Sequence, residues 1–145
     1  MADGRFDDRQ IQWRRLDGLA NLEYTVLSID EPRLTADVLF RFAGNGQIAL
    51  HRHRALNHTF VVQGEHRIYE ADGRLREVRP TGSYTISPAS PEPHREGGGA
   101  EDVIVLFSIR GSDGVLYELL DDAHNIIGTI SMQDLVALHA AQRGG

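Results

Sequence analysis

The segment LHRHRALNHTFVVQGEHRIY, residues 50–69, carries His51, His53, His58 and His66. Side chains on a β-strand alternate faces, so an H-x-H pair such as His51 and His53 aims both imidazoles the same way. Two neutral imidazoles on one face need only one or two further donors to hold a transition metal. A further histidine, His94, follows the turn-rich stretch GSYTISPASPEPH, and five of the seven histidines fall between positions 51 and 94. A metal site is the leading reading. The competing one is that a histidine on a half-buried strand is a hydrogen-bonded amphipathic residue with no ligand role. Gly64 after the strand, and the spacing from Gly82 through Pro88 to His94, favour the metal.

Composition limits what such a metal can be. The chain has no cysteine, which excludes disulfides, thiolate zinc sites, iron–sulfur clusters and a cysteine nucleophile, so a metal must take nitrogen and oxygen ligands. All fifteen basic residues are arginine, which excludes Schiff-base and P-loop lysine chemistry. A net charge of −6 argues against general nucleic-acid binding. No apolar run approaches the roughly 20 residues that span a bilayer, and MADGRFDDRQ lacks the apolar core of a signal peptide. A cytoplasmic protein without membrane contact is expected. At 145 residues, one domain spanning residues 1–145 is expected, with residues 1–10 polar and flexible.

The elements that must position the histidines are short alternating or β-branched runs. They fall at Ile11–Leu16, Leu22–Ile29, Leu34–Phe42, Gln47–His53, Asn57–Gln63, Glu65–Glu70, Leu75–Val78, Ser83–Ser87, Asp102–Ile109, Val115–Leu120 and Asn125–Ile130. Turn signals separate them: Asn45-Gly46, Asp72-Gly73, Thr81-Gly82, Asp113-Gly114 and the run Gly97-Gly98-Gly99. Many short strands at regular spacing predict an all-β sandwich or barrel. Val38-Leu39-Phe40 and Val103–Phe107 are apolar on both faces and belong inside it. One helix is predicted at residues 131–142, with Ser131 as N-cap, Asp134 three residues on, and Met132, Leu135 and Leu138 or His139 forming a packing stripe against the barrel or a second subunit.

These residues resemble the cupin superfamily. Its first motif is a glycine, a short strand, H-x-H, three or four residues, Glu, six residues and Gly. Gly46, His51-Arg52-His53, Asn57 in the Glu position, and Gly64 follow it. The second motif, Gly-x5-Pro-x-Gly-x2-His, is matched by Gly82 and Pro88, with His94 one residue late and Ser90 or Pro91 where the second glycine would stand. The resemblance implies a double-stranded β-helix, a jelly-roll barrel with a C-terminal helix and the metal near its mouth.

Within that superfamily, H-x-H-x4-H followed by Gly-Ser-Tyr…Pro…Pro-His is similar to the group containing the acetylacetone-cleaving and dihydroxyacetophenone dioxygenases. The cupin domain of a zinc-dependent anti-sigma factor is a more distant likeness. The dioxygenase likeness implies three histidine ligands, His51, His53 and His94, on one divalent metal: Fe(II) first, with Zn, Ni or Mn as alternatives, and no carboxylate in the glutamate position. It implies no other cofactor. Asn57 is then expected to hydrogen-bond a ligand from behind rather than to coordinate. His58 is a candidate pocket group, with a packed structural histidine as the alternative. His66, His124 and His139 are expected outside the site, and Tyr69, Tyr84 and Arg67 are pocket-lining candidates.

The implied activity is cleavage of a C–C bond in a β-dicarbonyl or hydroxyketone. A metal-dependent sensor or small-molecule-binding module, and a metal-assisted isomerase or lyase, are the alternatives. Ser87 stands where the likeness often has an acidic residue, so substrate class is the least determined point. A small-molecule substrate and a homodimer complete the expectation.

Overall fold

The structure is a computed structural model that describes residues 6–111 and 113–144. Eleven strands and one helix follow in order: β1 (Leu22–Asp30), β2 (Thr35–Phe42), β3 (His51–His53), β4 (Leu56–Gln63), β5 (His66–Tyr69), β6 (Leu75–Arg79), β7 (Tyr84–Ser87), β8 (Arg95–Gly98), β9 (Val103–Arg110), β10 (Val115–Leu120), β11 (Ile126–Ser131) and α1 (Met132–Gly144).

The named strands pair antiparallel throughout. One five-stranded sheet runs β1-β2-β9-β4-β7, and two three-stranded sheets run β11-β10-β3 and β6-β5-β8. The three-stranded sheets join where His51 and His94 exchange backbone hydrogen bonds of 3.0 and 2.8 Å, and where Ile48 N–H donates to Glu96 O at 2.8 Å. The result is the expected jelly roll with a C-terminal helix. Its core is filled by inward residues of both layers, among them Val38, Val103, Val105, Phe107, Ile109 and Leu116, each at most 2 % exposed. Each such side chain stabilises the fold by about 1.5–3 kcal/mol.

Most predicted strands appear within one or two residues of their expected ends. Ile11–Leu16 is an exception: it forms no strand, only a bridge in which Arg14 and Tyr24 exchange bonds of 3.0 and 2.9 Å. The expected flexibility of residues 1–10 concerns residues 1–5 in part, which lie outside the described residues. Asp8 pairs with Arg41 at 3.0 Å, and the Arg41 guanidinium lies 4.5 Å from the Trp13 ring centroid.

At the other end the helix starts as its sequence predicts. Asp134 N–H donates to Ser131 Oγ at 3.1 Å, and Ser131 N–H donates to the Asp134 carboxylate at 2.8 Å, a reciprocal cap. The helix buries Met132 and Leu135 against the barrel. Among the described residues, no helix is long and apolar enough to cross a membrane.

One strand was hidden. Gly97-Gly98-Gly99 reads as a turn, yet Gly97 and Gly98 end β8. A Cβ on Gly97 would lie 1.9 Å from the carbonyl oxygen of Gly46. Glycine here permits a close approach of the backbone at Gly46, in the β2–β3 connection, rather than a reversal.

Candidate metal centre

β3 is three residues long and reads buried, half-buried, buried. His51 and His53 both point inward, with rings 5.3 Å apart and 26° from parallel, while Arg52 turns outward to Glu118 at 2.5 Å. The H-x-H spacing thus does what alternation requires.

His94 reaches the same place through its backbone bridge to His51. Its one-residue displacement from the motif is absorbed in the loop before it, where Ser90 N–H donates to His53 O at 3.1 Å. His94 Nε2 lies 3.1 Å from His53 Nε2. The structure therefore brings His51, His53 and His94 together.

A fourth group completes the cluster. Glu96, two residues beyond His94 and 3 % exposed, projects into the same space. Its Oε2 lies 2.6 Å from His51 Nε2, 3.4 Å from His53 Nε2 and 3.2 Å from His94 Nε2. The expectation of a site without a carboxylate is corrected. The motif-1 glutamate position does hold an asparagine, but a carboxylate arrives from the motif-2 strand. His94-Arg95-Glu96 is the same two-residue device as His51-Arg52-His53, and that H-x-E spacing was the available signal.

All four ligand atoms lie within 4.8 Å of one another. Metal–ligand bonds of about 2.0–2.2 Å set adjacent donors roughly 3 Å apart, so the spacing suits one ion. The protonation of His51 suits it too. His51 Nδ1–H donates to Ala49 O at 2.8 Å, which leaves the Nε2 lone pair facing the cluster. Burial lowers the His53 pKa to about 4 against the opposing pull of Glu96, and burial likewise lowers that of His94. Both rings are neutral near pH 7. Burial opposes ionisation of Glu96, but the ring nitrogens of His51, His53, His66 and His94 gathered around it hold its carboxyl well below the usual range. Neutral imidazoles and one carboxylate form a donor set for a divalent transition metal.

Behind these groups stands a layer of supports. Asn57 is fully buried, with Nδ2 3.1 Å from His53 Nδ1 and from Ala55 O, and Oδ1 accepting from Tyr117 O–H at 3.1 Å. It touches a ligand ring from behind. Burial, reinforced by the charge of Glu96, keeps the Tyr117 phenol protonated well past its usual range.

His66, expected outside, is fully buried and lies with Nε2 2.8 Å from Glu96 Oε1. Gly64 does make the turn, at φ +83°, but β5 starts two residues later and its first side chain points inward.

His58 takes the opposite direction. It shares the outer face of β4 with Phe60 and bonds Tyr84 O–H there, so neither it nor Tyr84 joins the cluster. His58 as a pocket group is corrected by strand alternation. Ile68, rather than its neighbours Arg67 and Tyr69, lines the cavity at the cluster. That cavity, about 150 Å³, opens beside His53, His94 and Glu96.

Comparison with known proteins agrees with this architecture. A family model described as the ChrR cupin-like domain matches residues 1–112. An RmlC-like cupin protein from Ralstonia eutropha JMP134 superposes with a TM-score of 0.76 at 20% identity, over 97% of this chain and 87% of that one. An acetylacetone dioxygenase from Acinetobacter johnsonii gives 0.70 at 13% identity, over 97% and 93%. The DMSP lyase DddQ from Ruegeria pomeroyi DSS-3 gives 0.58 at 18%, over 74% and 60%. At these identities the likeness concerns the fold. Comparison with curated proteins finds no match.

Proposed function

The chain belongs to the ChrR cupin-like family, and from that premise we propose that it is a metal-dependent cupin enzyme in which His51, His53, His94 and Glu96 hold one divalent ion. The activity proposed is oxidative cleavage of a C–C bond in a small enolisable dicarbonyl or hydroxyketone, with iron as the metal. The observation that carries this reading is the convergence of the four donors on one point at the edge of a cavity. A set containing histidines and one carboxylate is the type used by non-haem iron oxygenases.

When bound, a divalent iron would supply Lewis acidity and one-electron chemistry toward O2. The chain's own residues do the rest. Glu96 cancels one of the ion's two charges, so the centre keeps a single positive charge suited to a singly charged enolate. Asn57 and His66 fix the orientation of His53 and Glu96 from behind. Phe107 and Ile68 give the cavity apolar walls that limit water. A cavity of about 150 Å³ is the size that holds a benzene-like molecule, which favours aliphatic diketones over aryl hydroxyketones.

Oxygen uptake by iron-loaded protein across a panel of β-diketones and aryl hydroxyketones tests the proposal, with His53→Ala as control. Uptake above the control with the small diketones is expected; none with any compound would contradict it.

One observation favours a second reading, a metal-dependent binding or sensing module. Four protein donors suffice to close a tetrahedral site, as in structural zinc centres. Azide added to Co(II)-loaded protein separates the two, since an open position changes the visible spectrum and a closed one does not. The expected partners are the small-molecule substrate and a second copy of the chain, through edge strand β7, whose outer face exposes Tyr84 and Ile86.

A further inference from the structure

The cavity beside the metal centre is lined by His53, His94 and Glu96 and also by Arg76 and Arg79 from β6. The two arginines differ in how their charge is met. Arg76 is gripped by Glu70 through Nε and Nη2 at 2.8 and 2.9 Å. Arg79 is held only through Nε, by Glu77 at 2.6 Å, and among the described residues its Nη1 and Nη2 bond nothing. Its side chain is only 13% exposed, and Arg79 is among the residues that line the cavity. A guanidinium tethered at Nε by a carboxylate keeps a two-nitrogen edge free, the edge that meets a carboxylate in parallel hydrogen bonds.

We propose that Arg79 is the docking point for a substrate carboxylate, and that the molecule handled here is a small oxo acid whose carbonyl end faces the metal centre while its acid end sits on Arg79. This deepens the functional reading above and rests on it. Charge placement agrees: Glu70 meets the charge of Arg76, while Arg79 has a carboxylate only at Nε. Size agrees as well, since a volume of about 150 Å³ has room for a short oxo acid. Arg79 is a specificity-determining residue that lines the same cavity as His53, His94 and Glu96 and bonds none of them.

The test compares 2,4-dioxopentanoate with its methyl ester, which carries the same diketone without the negative end. Both are titrated anaerobically into Co(II)-loaded protein, followed by the visible spectrum, with metal content measured alongside. Wild type is expected to bind the acid about 10- to 100-fold more tightly than the ester, the scale of a charge-assisted pair. Arg79→Gln is expected to erase that preference while metal content and ester affinity stay within twofold. Glu77→Gln, which removes the competing anion, is expected to tighten acid binding and leave the ester unchanged.

Equal affinity for acid and ester in wild type, or equal weakening of both by Arg79→Gln, would overturn the assignment of Arg79 and leave the metal-enzyme reading standing. A metal-loaded protein that binds neither compound would overturn both.

Discussion

His66 Nε2 lies 2.8 Å from Glu96 Oε1, on the side of the carboxylate away from His51, His53 and His94. Donation from His66 occupies Oε1 and leaves Oε2 to face the three rings, so Glu96 would offer a bound ion one oxygen. The tautomer follows: with the proton on Nε2, His66 Nδ1 is a bare acceptor, and it is indeed buried without a partner. Phe42 stacks on that ring at 5.3 Å and Phe107 meets it edge-on at 6.1 Å, so the imidazole has no freedom to turn away.

Replacing His66 by Phe keeps an aromatic ring in the Phe42–Phe107 pocket and deletes the donor. Metal affinity, measured by competition with a chelator, is expected to fall about 10- to 100-fold, the usual cost of losing a hydrogen bond behind a metal ligand. His66→Gln, which retains an N–H donor, is expected to recover part of the loss. Affinity unchanged within twofold in His66→Phe would show that Glu96 needs no such support.

Position 58 is the contrasting case. His58→Ala is expected to leave metal content untouched, because that side chain lies on the outer face of β4 with Tyr84. Asn57→Ala is expected to weaken metal binding less than His53→Ala, since Asn57 acts on the His53 ring rather than on the ion. A loss equal to that of His53→Ala would make Asn57 a ligand.

Stability of the metal-free protein is expected to fall as the pH drops from about 6.5 toward 4. The sign follows from the shifts. The folded-state pKa of His53 is lowered from 6.5 to about 4, so between those values the unfolded chain binds a proton that the folded chain refuses. The contribution is complete above the unfolded value and is lost on acidification. His94, also lowered, and Glu96, held well below 4.5, act in the same direction. The His53 shift alone corresponds to about 3 kcal/mol. Urea midpoints from pH 7 to pH 4 check this, and a midpoint that holds steady through that window would contradict it.

How much of this was legible in the sequence depends on the kind of signal. Strand alternation around Arg52 foretold that His51 and His53 share a face, and the reciprocal cap of Ser131 and Asp134 foretold where the helix begins. Both are local patterns that tertiary packing had no reason to override. Glu96 and His66 were missed for one shared reason: each sits beside glycines that read as turns. Gly97 is instead demanded by the carbonyl of Gly46 pressing on β8, a contact between residues some fifty positions apart. Gly64 does turn the chain, but too briefly to keep His66 from the interior. His58 was misplaced because a neighbouring motif position outweighed alternation, which had already put it opposite Asn57.

The most direct test of the four-donor centre is metal content, by elemental analysis, of protein purified without a histidine tag and of its Glu96→Gln variant. Glutamine keeps the volume and one carbonyl oxygen but removes the charge that His51, His53 and His94 surround. One divalent transition metal per chain is expected in the wild type, with a loss in Glu96→Gln as deep as that in His51→Ala. A Glu96→Gln protein that keeps its full complement of metal, or a wild type that binds none when supplied with iron, zinc, nickel or manganese, would contradict it.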